Sequence, residues 1–148
     1  MLFAVAGSRF FVGSSFSAGI DQVSATDFAS QAWVEVGGCE ALGSSAETVT
    51  TWDATHMGST RGIIGKGVAT ASPMTLTVGM DAADAGQLAL IAALRSPDAF
   101  AFRIALSDGT TRMFLGLVIG AEEVLEAASD VARMMVTIAR QTNLVRLP

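Results

Sequence analysis

Three side chains of the kind that form hydrolytic triads, Asp53, His56 and Ser59, stand close together in the sequence. A triad needs a serine on a rigid turn, a base that a third group orients, and donors for the oxyanion. The surrounding sequence is rich in serine, threonine and glycine, and no nucleophile-elbow pattern surrounds any serine. His56 also lacks a second histidine or a cysteine at metal-ligand spacing. We therefore predict no catalytic residue and no metal site in this segment.

Residues 62–67 are rich in glycine and partly resemble a phosphate-binding loop. The Walker pattern requires a glycine five residues before its Gly-Lys pair and a serine or threonine after the lysine. Thr60 and Gly67 occupy these two positions. We therefore expect a flexible loop tip and no bound cofactor.

Acidic side chains cluster near the C-terminal end, at Glu122, Glu123, Glu126 and Asp130. Such a cluster is compatible with a cation site or an acidic catalytic pair, but a solvated acidic edge is the interpretation that we favour. The two tryptophans, Trp33 and Trp52, are interpreted as core or interface anchors, because no basic residues interleave with them.

The composition is that of one domain that spans residues 1–148. Apolar residues make up 51% of the chain and charged residues only 16%, so we expect partner subunits to cover part of the surface. The net charge is −5 and Lys66 is the only lysine. This balance argues against specific binding of nucleic acid, because too few cations are present to hold a phosphate backbone.

Cys39 is the only cysteine, so no disulfide can form within the chain. Residues 1–20 are apolar but lack a basic start and contain Arg9, which argues against a signal peptide. No uncharged apolar run reaches the ~20 residues of a membrane span. We expect a soluble protein, made in the cytoplasm, with no membrane partner.

The sequence between residues 74 and 95 predicts a strand followed by a helix. Alternating apolar residues indicate a strand over 74–80, with threonines and a glycine on its other face. Asp84 is a predicted N-cap, and the helix is expected over 84–95. Its apolar stripe is predicted to comprise Leu88, Ile91, Ala92 and Leu94.

Further strands are predicted on both sides of the helix. Residues 102–106 and 111–118 flank an Asp108-Gly109 turn, and a last strand is expected over 131–139. A short strand at 33–36 is expected to begin the folded body. Together these elements predict an α+β, mainly β class: an antiparallel β-sandwich or barrel with one flanking α-helix.

Two segments are expected to project from this body. Residues 1–30 are interpreted as an N-terminal arm that orders only when it docks, and residues 9–13 within it could be a short strand. Residues 42–72 are polar and irregular, and are predicted to form a long projecting loop. Within this loop, residues 49–52 and 68–70 could be the legs of a hairpin.

Several sequence blocks, in order, resemble the tail tube proteins of lambda-like, non-contractile phages and of the related gene transfer agents. The resemblance covers nearly the whole chain. The blocks are residues 9–13 (RFFVG), 27–29 (DFA), 33–37 (WVEVG), 74–78 (MTLTV), 84–87 (DAGQ), 100–104 (FAFRI) and 114–118 (FLGLV).

This resemblance implies a structural subunit and not an enzyme. Six copies would close into a ring, and stacked rings would form a hollow tube in the tail of a virion or phage-like particle. DNA would pass through the tube without specific binding, and the other partners would be tape measure, terminator and distal tail proteins.

The resemblance also implies that the arm and the loop contact neighbouring rings. For the arm we name Phe10, Phe11 and Phe16. The lumen lining is expected to include Glu122, Glu123 and Glu126, whose charge would repel DNA phosphate. The candidate loop residues are Val49, Trp52, Arg61, Ile63, Ile64 and Lys66.

Two alternatives remain open at this stage. A tail terminator or cap protein would have the same kind of folded body. A small-ligand-binding β-sandwich would instead enclose a pocket and remain a monomer.

Overall fold

The computed structural model describes residues 2–17 and 19–148, and it is mainly β with one α-helix in this part of the chain. The helix α1 (Ala85–Arg95) lies between the sixth and seventh strands, and a short 3-10 turn covers Ala25–Phe28. The strands, in chain order, are β1 (Arg9–Phe16), β2 (Val34–Val36), β3 (Cys39–Ala41), β4 (Glu47–Asp53), β5 (Ile64–Ala71), β6 (Met74–Gly79), β7 (Ala99–Ala105), β8 (Thr111–Val124), β9 (Arg133–Arg140) and β10 (Val145–Leu147).

The main sheet has eight antiparallel strands, in the order β2-β1-β7-β8-β9-β6-β3, with β10 beside β8. It is not closed into a barrel. The long β8 joins its two halves, because residues 111–116 pair with β7 and residues 116–124 pair with β9. The turn predicted at Asp108-Gly109 is confirmed as the link between β7 and β8, with Gly109 at a φ of 93°. Strands β4 and β5 form a separate two-stranded sheet.

The main core lies against one face of this sheet, and a second apolar cluster, which includes Phe28, Ala101 and Leu115, lies against the other face. The rings of Phe10 and Phe114 flank that of Phe102, with ring centroids 5.6 and 5.5 Å apart. The predicted alternation along β6 and β9 is confirmed by a set of buried side chains. These are Met74, Leu76, Val78, Met134, Val136 and Ile138.

The structure confirms Asp84 as the N-cap, since its Oδ2 accepts from the backbone N of Gln87 at 3.0 Å. The predicted apolar stripe is only partly correct: Ile91 and Leu94 pack half-buried against the core, but the buried face of the helix is centred elsewhere. Leu88 is exposed, as is Ala92, and the helix buries Leu90 and Ala93 together with Gly86 and Gln87. The reason is that the first turn of the helix lies against β2, which directs the face that carries Gly86 towards the sheet.

Residues 9–16 do not form a separate arm, contrary to the interpretation of residues 1–30. Strand β1 lies inside the main sheet, between β2 and β7. Phe10 and Val12 alternate into the core and are almost completely buried. A short strand at residues 9–13 was expected, but its place inside the sheet was not, because its pairing partners stand far away in the chain.

The close contact of helix and sheet predicts a large effect of one methyl group at Gly86. A Cβ at this position would collide with the carbonyl O of Glu35 and with the Cα of Val36. We expect Gly86→Ala to lower the free energy of unfolding by roughly 1–3 kcal/mol. Helix propensity alone would give the opposite sign, because alanine is the better helix former. Chemical denaturation measures the change.

The matched control is Gly62→Ala, where the nearest atom to the added Cβ is Thr55 Oγ1 at 3.7 Å. This variant should stay within about 0.5 kcal/mol of the parent. A stabilised Gly86→Ala protein would show that the helix does not lie against β2 as described.

Candidate assembly surfaces

The region predicted as an irregular loop, residues 42–72, is largely an ordered hairpin. The two predicted legs belong to β4 and β5, which are longer than expected. At the base of the hairpin, Ala46 and Ser72 are joined through backbone and side-chain hydrogen bonds of 2.7 and 2.8 Å. Nη2 of Arg140 lies 3.6 Å from Oε2 of Glu47. The hairpin thus stands on the main body without sharing its sheet.

The two faces of the hairpin differ. On one face Trp52 lies across Gly65, and its Nε1 donates to the carbonyl O of Lys66 at 3.0 Å. Ile64 and Lys66 lie on the other face, and Val68 lies at the β-bulge of β5, where the register with β4 shifts. Ile64 and Val68 are 69% and 70% exposed. This exposed apolar pair makes the hairpin a candidate contact surface.

The remaining loop candidates are also exposed. Val49 lies opposite Ala69, three residues before Trp52 on β4, and therefore on the face opposite Trp52. Arg61 and Ile63 lie in the connection at the tip. The structure therefore distributes the six predicted loop residues over both faces and the tip.

Asp53, His56 and Ser59 also lie at this tip, where each one stabilises a turn. Asp53 accepts from the backbone N of Thr55, and the hydrogen bonds of Thr55 lower the pKa of the Asp53 carboxyl. Nδ1 of His56 accepts from the backbone N of Gly58, and Oγ of Ser59 accepts from the backbone N of His56. These contacts hold the backbone and do not form a catalytic relay.

The C-terminal part of β8 is a free edge of the main sheet. Residues 120–124 pair with β9 on one side, and no other strand of the described chain pairs with residues 119–124 on the opposite side. Ile119 is 56% exposed at the point where the register with β9 shifts. Unpaired backbone N–H and C=O groups along such an edge are available to a partner strand.

The predicted acidic residues do not share one face. Glu122 lies opposite Met135, on the face that also carries Thr75 and Thr77. Glu123 lies opposite the buried Met134, on the core side. Glu126 follows the end of the strand. If one sheet face lined a channel, only one of the two β8 glutamates would point into it.

The phenylalanines named for the arm have three different environments. Phe10 is in the core. Phe11 lies 4.2 Å below the guanidinium of Arg103, whose other neighbour is the ring of Trp33. Phe16 packs on Phe28, 6.2 Å between centroids. Phe16 and Phe28 belong to the second apolar cluster, which was not predicted from the sequence although its aromatic residues were an available signal.

The described residues contain no cluster of histidine, cysteine, aspartate and glutamate suited to a metal ion. Burial, with help from Asp84 and Glu35, raises the pKa of the Cys39 thiol to about 11, so the group stays protonated at neutral pH. Within the same residues, no helix has the length and apolar character of a transmembrane segment.

Comparison with protein families and with curated proteins found no match. Solved structures do match over nearly the full length. A chain of the anti-feeding prophage (AFP) baseplate, determined with 6-fold symmetry, superposes with a TM-score of 0.68 at 15% identity, over 99% of this chain and 97% of that one. The chain has a phage tail tube protein fold.

Two other solved chains are similar to this chain to about the same degree, as their TM-scores show. The SPP1 tail tube protein has a TM-score of 0.66 at 11% identity, over 97% of this chain and 78% of that one. A chain of the PVC sheath/tube terminator in the extended state has a TM-score of 0.66 at 12% identity, over 100% and 98%. The fold is therefore common to tube, baseplate and terminator components.

The hairpin of this tail tube fold should be sensitive to one added methyl group. A Cβ at Gly65 would collide with the indole of Trp52. We expect Gly65→Ala to turn Trp52 into water and shift its fluorescence to longer wavelength. The melting temperature of the main sheet should stay unchanged, because β4 and β5 pair only with each other. A Trp33→Phe background isolates the signal.

Gly62→Ala in the same background is the control, since its added methyl group meets only an ordinary contact. Unchanged emission from Gly65→Ala would contradict the packing of Trp52 on β5. A large loss of melting temperature would contradict the independence of the hairpin.

Proposed function

We propose that this chain is a structural, non-enzymatic subunit of a phage-like tail tube. Six copies form a ring, and stacked rings form a channel that conducts DNA in the tail of the particle. The observation that carries this proposal is the match of the fold, over nearly its full length, to chains of assembled tail components. The protein is made in the cytoplasm of the bacterial host and is then assembled with the other tail proteins.

Closure of the ring is supported by the free edge of β8. A neighbouring strand that pairs with residues 119–124 would satisfy their backbone groups and bury Ile119. Repetition of the same contact around a symmetry axis removes every such edge, which favours a closed ring over a monomer. The excess of apolar residues in the chain fits the same arrangement.

The channel wall is proposed to be the part of the opposite sheet face that β6, β9 and the end of β8 form, because the second apolar cluster covers the β7 half of that face. Thr75, Thr77 and Thr137 lie on this face, beside Gly120 and Glu122. Small hydroxyl side chains leave the wall smooth, and the carboxylate of Glu122 repels DNA phosphate. Of the three predicted glutamates, Glu122 is the one whose position fits this wall. DNA would slide past it without specific binding.

Contacts between rings are assigned to the hairpin and to the segment before β1. Ile64 and Val68 expose apolar surface on the hairpin, and Leu2 and Val5 do so near the start of the chain. These surfaces would be covered by the next ring, or at the tube ends by terminator, distal tail and tape measure proteins.

A tail terminator is the second candidate, because the terminator chain matches as well as the tube chain does. A terminator would form one ring and stop, whereas a tube subunit would add ring upon ring. The length of the assembly therefore separates the two functions.

Negative-stain electron microscopy of the concentrated, purified protein tests the proposal. We expect hollow tubes built from stacked six-membered rings. Single rings of uniform height would instead support the terminator. A protein that stays monomeric at all concentrations, also in the presence of preformed tail ends, would contradict both functions.

The hairpin should control polymerisation and not folding. We expect the double variant Ile64→Thr and Val68→Thr to raise the critical concentration for assembly by about tenfold or more, because two exposed apolar contacts are lost. The melting temperature should stay within about 2 °C, since β-branched residues are retained in an exposed hairpin. Sedimentation of polymers measures the critical concentration.

Leu88→Gln serves as the control, because it removes an exposed apolar side chain from the helix and not from the hairpin. Tubes of normal length and yield from the hairpin variant would show that this surface does not join rings.

A further inference from the structure

A cavity of about 240 Å³ opens at the end of the sheet where β7 ends and β8 begins. Its lining is mainly apolar and includes Met74, Ile104, Leu106, Phe114 and Leu144. Arg112 and Arg140 complete the lining, and Nη1 of Arg112 donates to the carbonyl O of Thr111 at 3.0 Å. Both side chains belong to the core-facing rows of their strands, as the neighbours Phe114 and Ile138 show. We call this the arginine cavity.

Arg140 is a buried charge that is only partly satisfied. Its side chain is only 6% exposed, and its Nε makes no hydrogen bond within the described residues. The nearest carboxylate, that of Glu47, is 3.6 Å from Nη2. Burial of a guanidinium donor without an acceptor is costly, so an additional carboxylate would be bound favourably here. The cavity therefore fits an apolar side chain that stands next to an acidic one.

The opposite end of the same strands presents such a pair. Strand β8 begins beside Arg112, and its far end leads to Leu125 and Glu126, roughly 40 Å away at about 3.3 Å per residue. Leu125 is 66% exposed and follows two further glutamates. The cavity end thus carries Arg112 and Arg140 beside apolar side chains, and the far end carries Glu126 beside Leu125, while the nearby Arg133 is paired with Glu40.

We infer that Leu125 and Glu126 of one copy enter the arginine cavity of a copy in the next ring, an inference that rests on the tube proposed above. The carboxylate of Glu126 pairs with the two guanidiniums, and Leu125 fills the apolar part. The two surfaces lie at opposite ends, so the contact is heterologous and does not close on itself. The base of the hairpin lies at the same end of the molecule as the cavity. The contact of the hairpin and the contact of the arginine cavity therefore belong to one ring-to-ring interface.

Disulfide trapping in the full-length chain tests the contact directly. In a Cys39→Ala background, Leu125→Cys and Leu144→Cys are combined, and the matched control combines Leu88→Cys with Leu144→Cys. The two ends of one chain are too far apart to join, so any disulfide of the first pair is intermolecular. We expect a ladder of cross-linked oligomers on a non-reducing gel from the first pair and not from the control.

The outcomes separate this contact from the tube itself. A ladder that appears only with the 125/144 pair supports the contact. Tubes without a ladder overturn the contact and leave the tube intact. If neither tubes nor a ladder appear, both the contact and the tube are overturned. A ladder without tubes supports the contact but counts against the tube.

A charge exchange provides the second measurement. Arg112→Glu and Glu126→Arg should each raise the critical concentration for assembly by about tenfold, and the double variant should largely restore it. If the double variant assembles no better than the single variants, the pairing is wrong. Hexanoate binding to the monomer gives a third result. If hexanoate binds, if Arg112→Glu abolishes this binding, and if that variant still assembles normally, the occupant is a small carboxylate and the contact is overturned.

Discussion

The arrangement of the sheet depends on the buried side-chain amide of Gln87. Its Nε2 donates to the carbonyl O atoms of Gly37 and Gly79 at 2.9 and 2.8 Å, and its Oε1 accepts from the backbone N of Asp81 at 2.9 Å. Asp84 adds a bond to the backbone N of Gly37 at 3.1 Å. The start of the helix is thereby joined to the corner between β2 and β3. Loss of the amide would leave three backbone groups unpaired in a buried site, each at a cost of about 1–3 kcal/mol.

This corner determines which edges of the sheet stay open. Strands β2 and β3 are its two outer strands, and each has only three residues. Short edges beside the helix offer few unpaired backbone groups. The end of β8 and the separate hairpin then remain as the accessible elements. The interior of the subunit and the surfaces proposed for assembly are therefore consequences of the same packing of helix on sheet.

Elements built from local patterns were predicted well from sequence. Strands β6 and β9 alternate apolar and small or polar residues, the cap of α1 is one aspartate, and the β7–β8 turn is an Asp-Gly pair. The paired legs of the hairpin were also predicted, in part. The centre of the buried face of the helix was not, because the contact of Gly86 with β2 joins residues about 50 positions apart. The membership of β1 in the sheet was missed for the same reason.

The sequence by itself determined the fold class, the near absence of chemistry-bearing residues and the acidic balance, because these follow from composition and from local periodicity. Only the tertiary structure decided which side chains of each strand or helix point into the core and which stay available for contacts with another subunit. Glu122 and Glu123 are neighbours in the chain, yet strand geometry directs them to opposite faces. Arg112 and Arg140 are 28 positions apart, and the sheet brings both to one cavity. Long-range pairing sets these positions, and a single sequence carries no direct record of it.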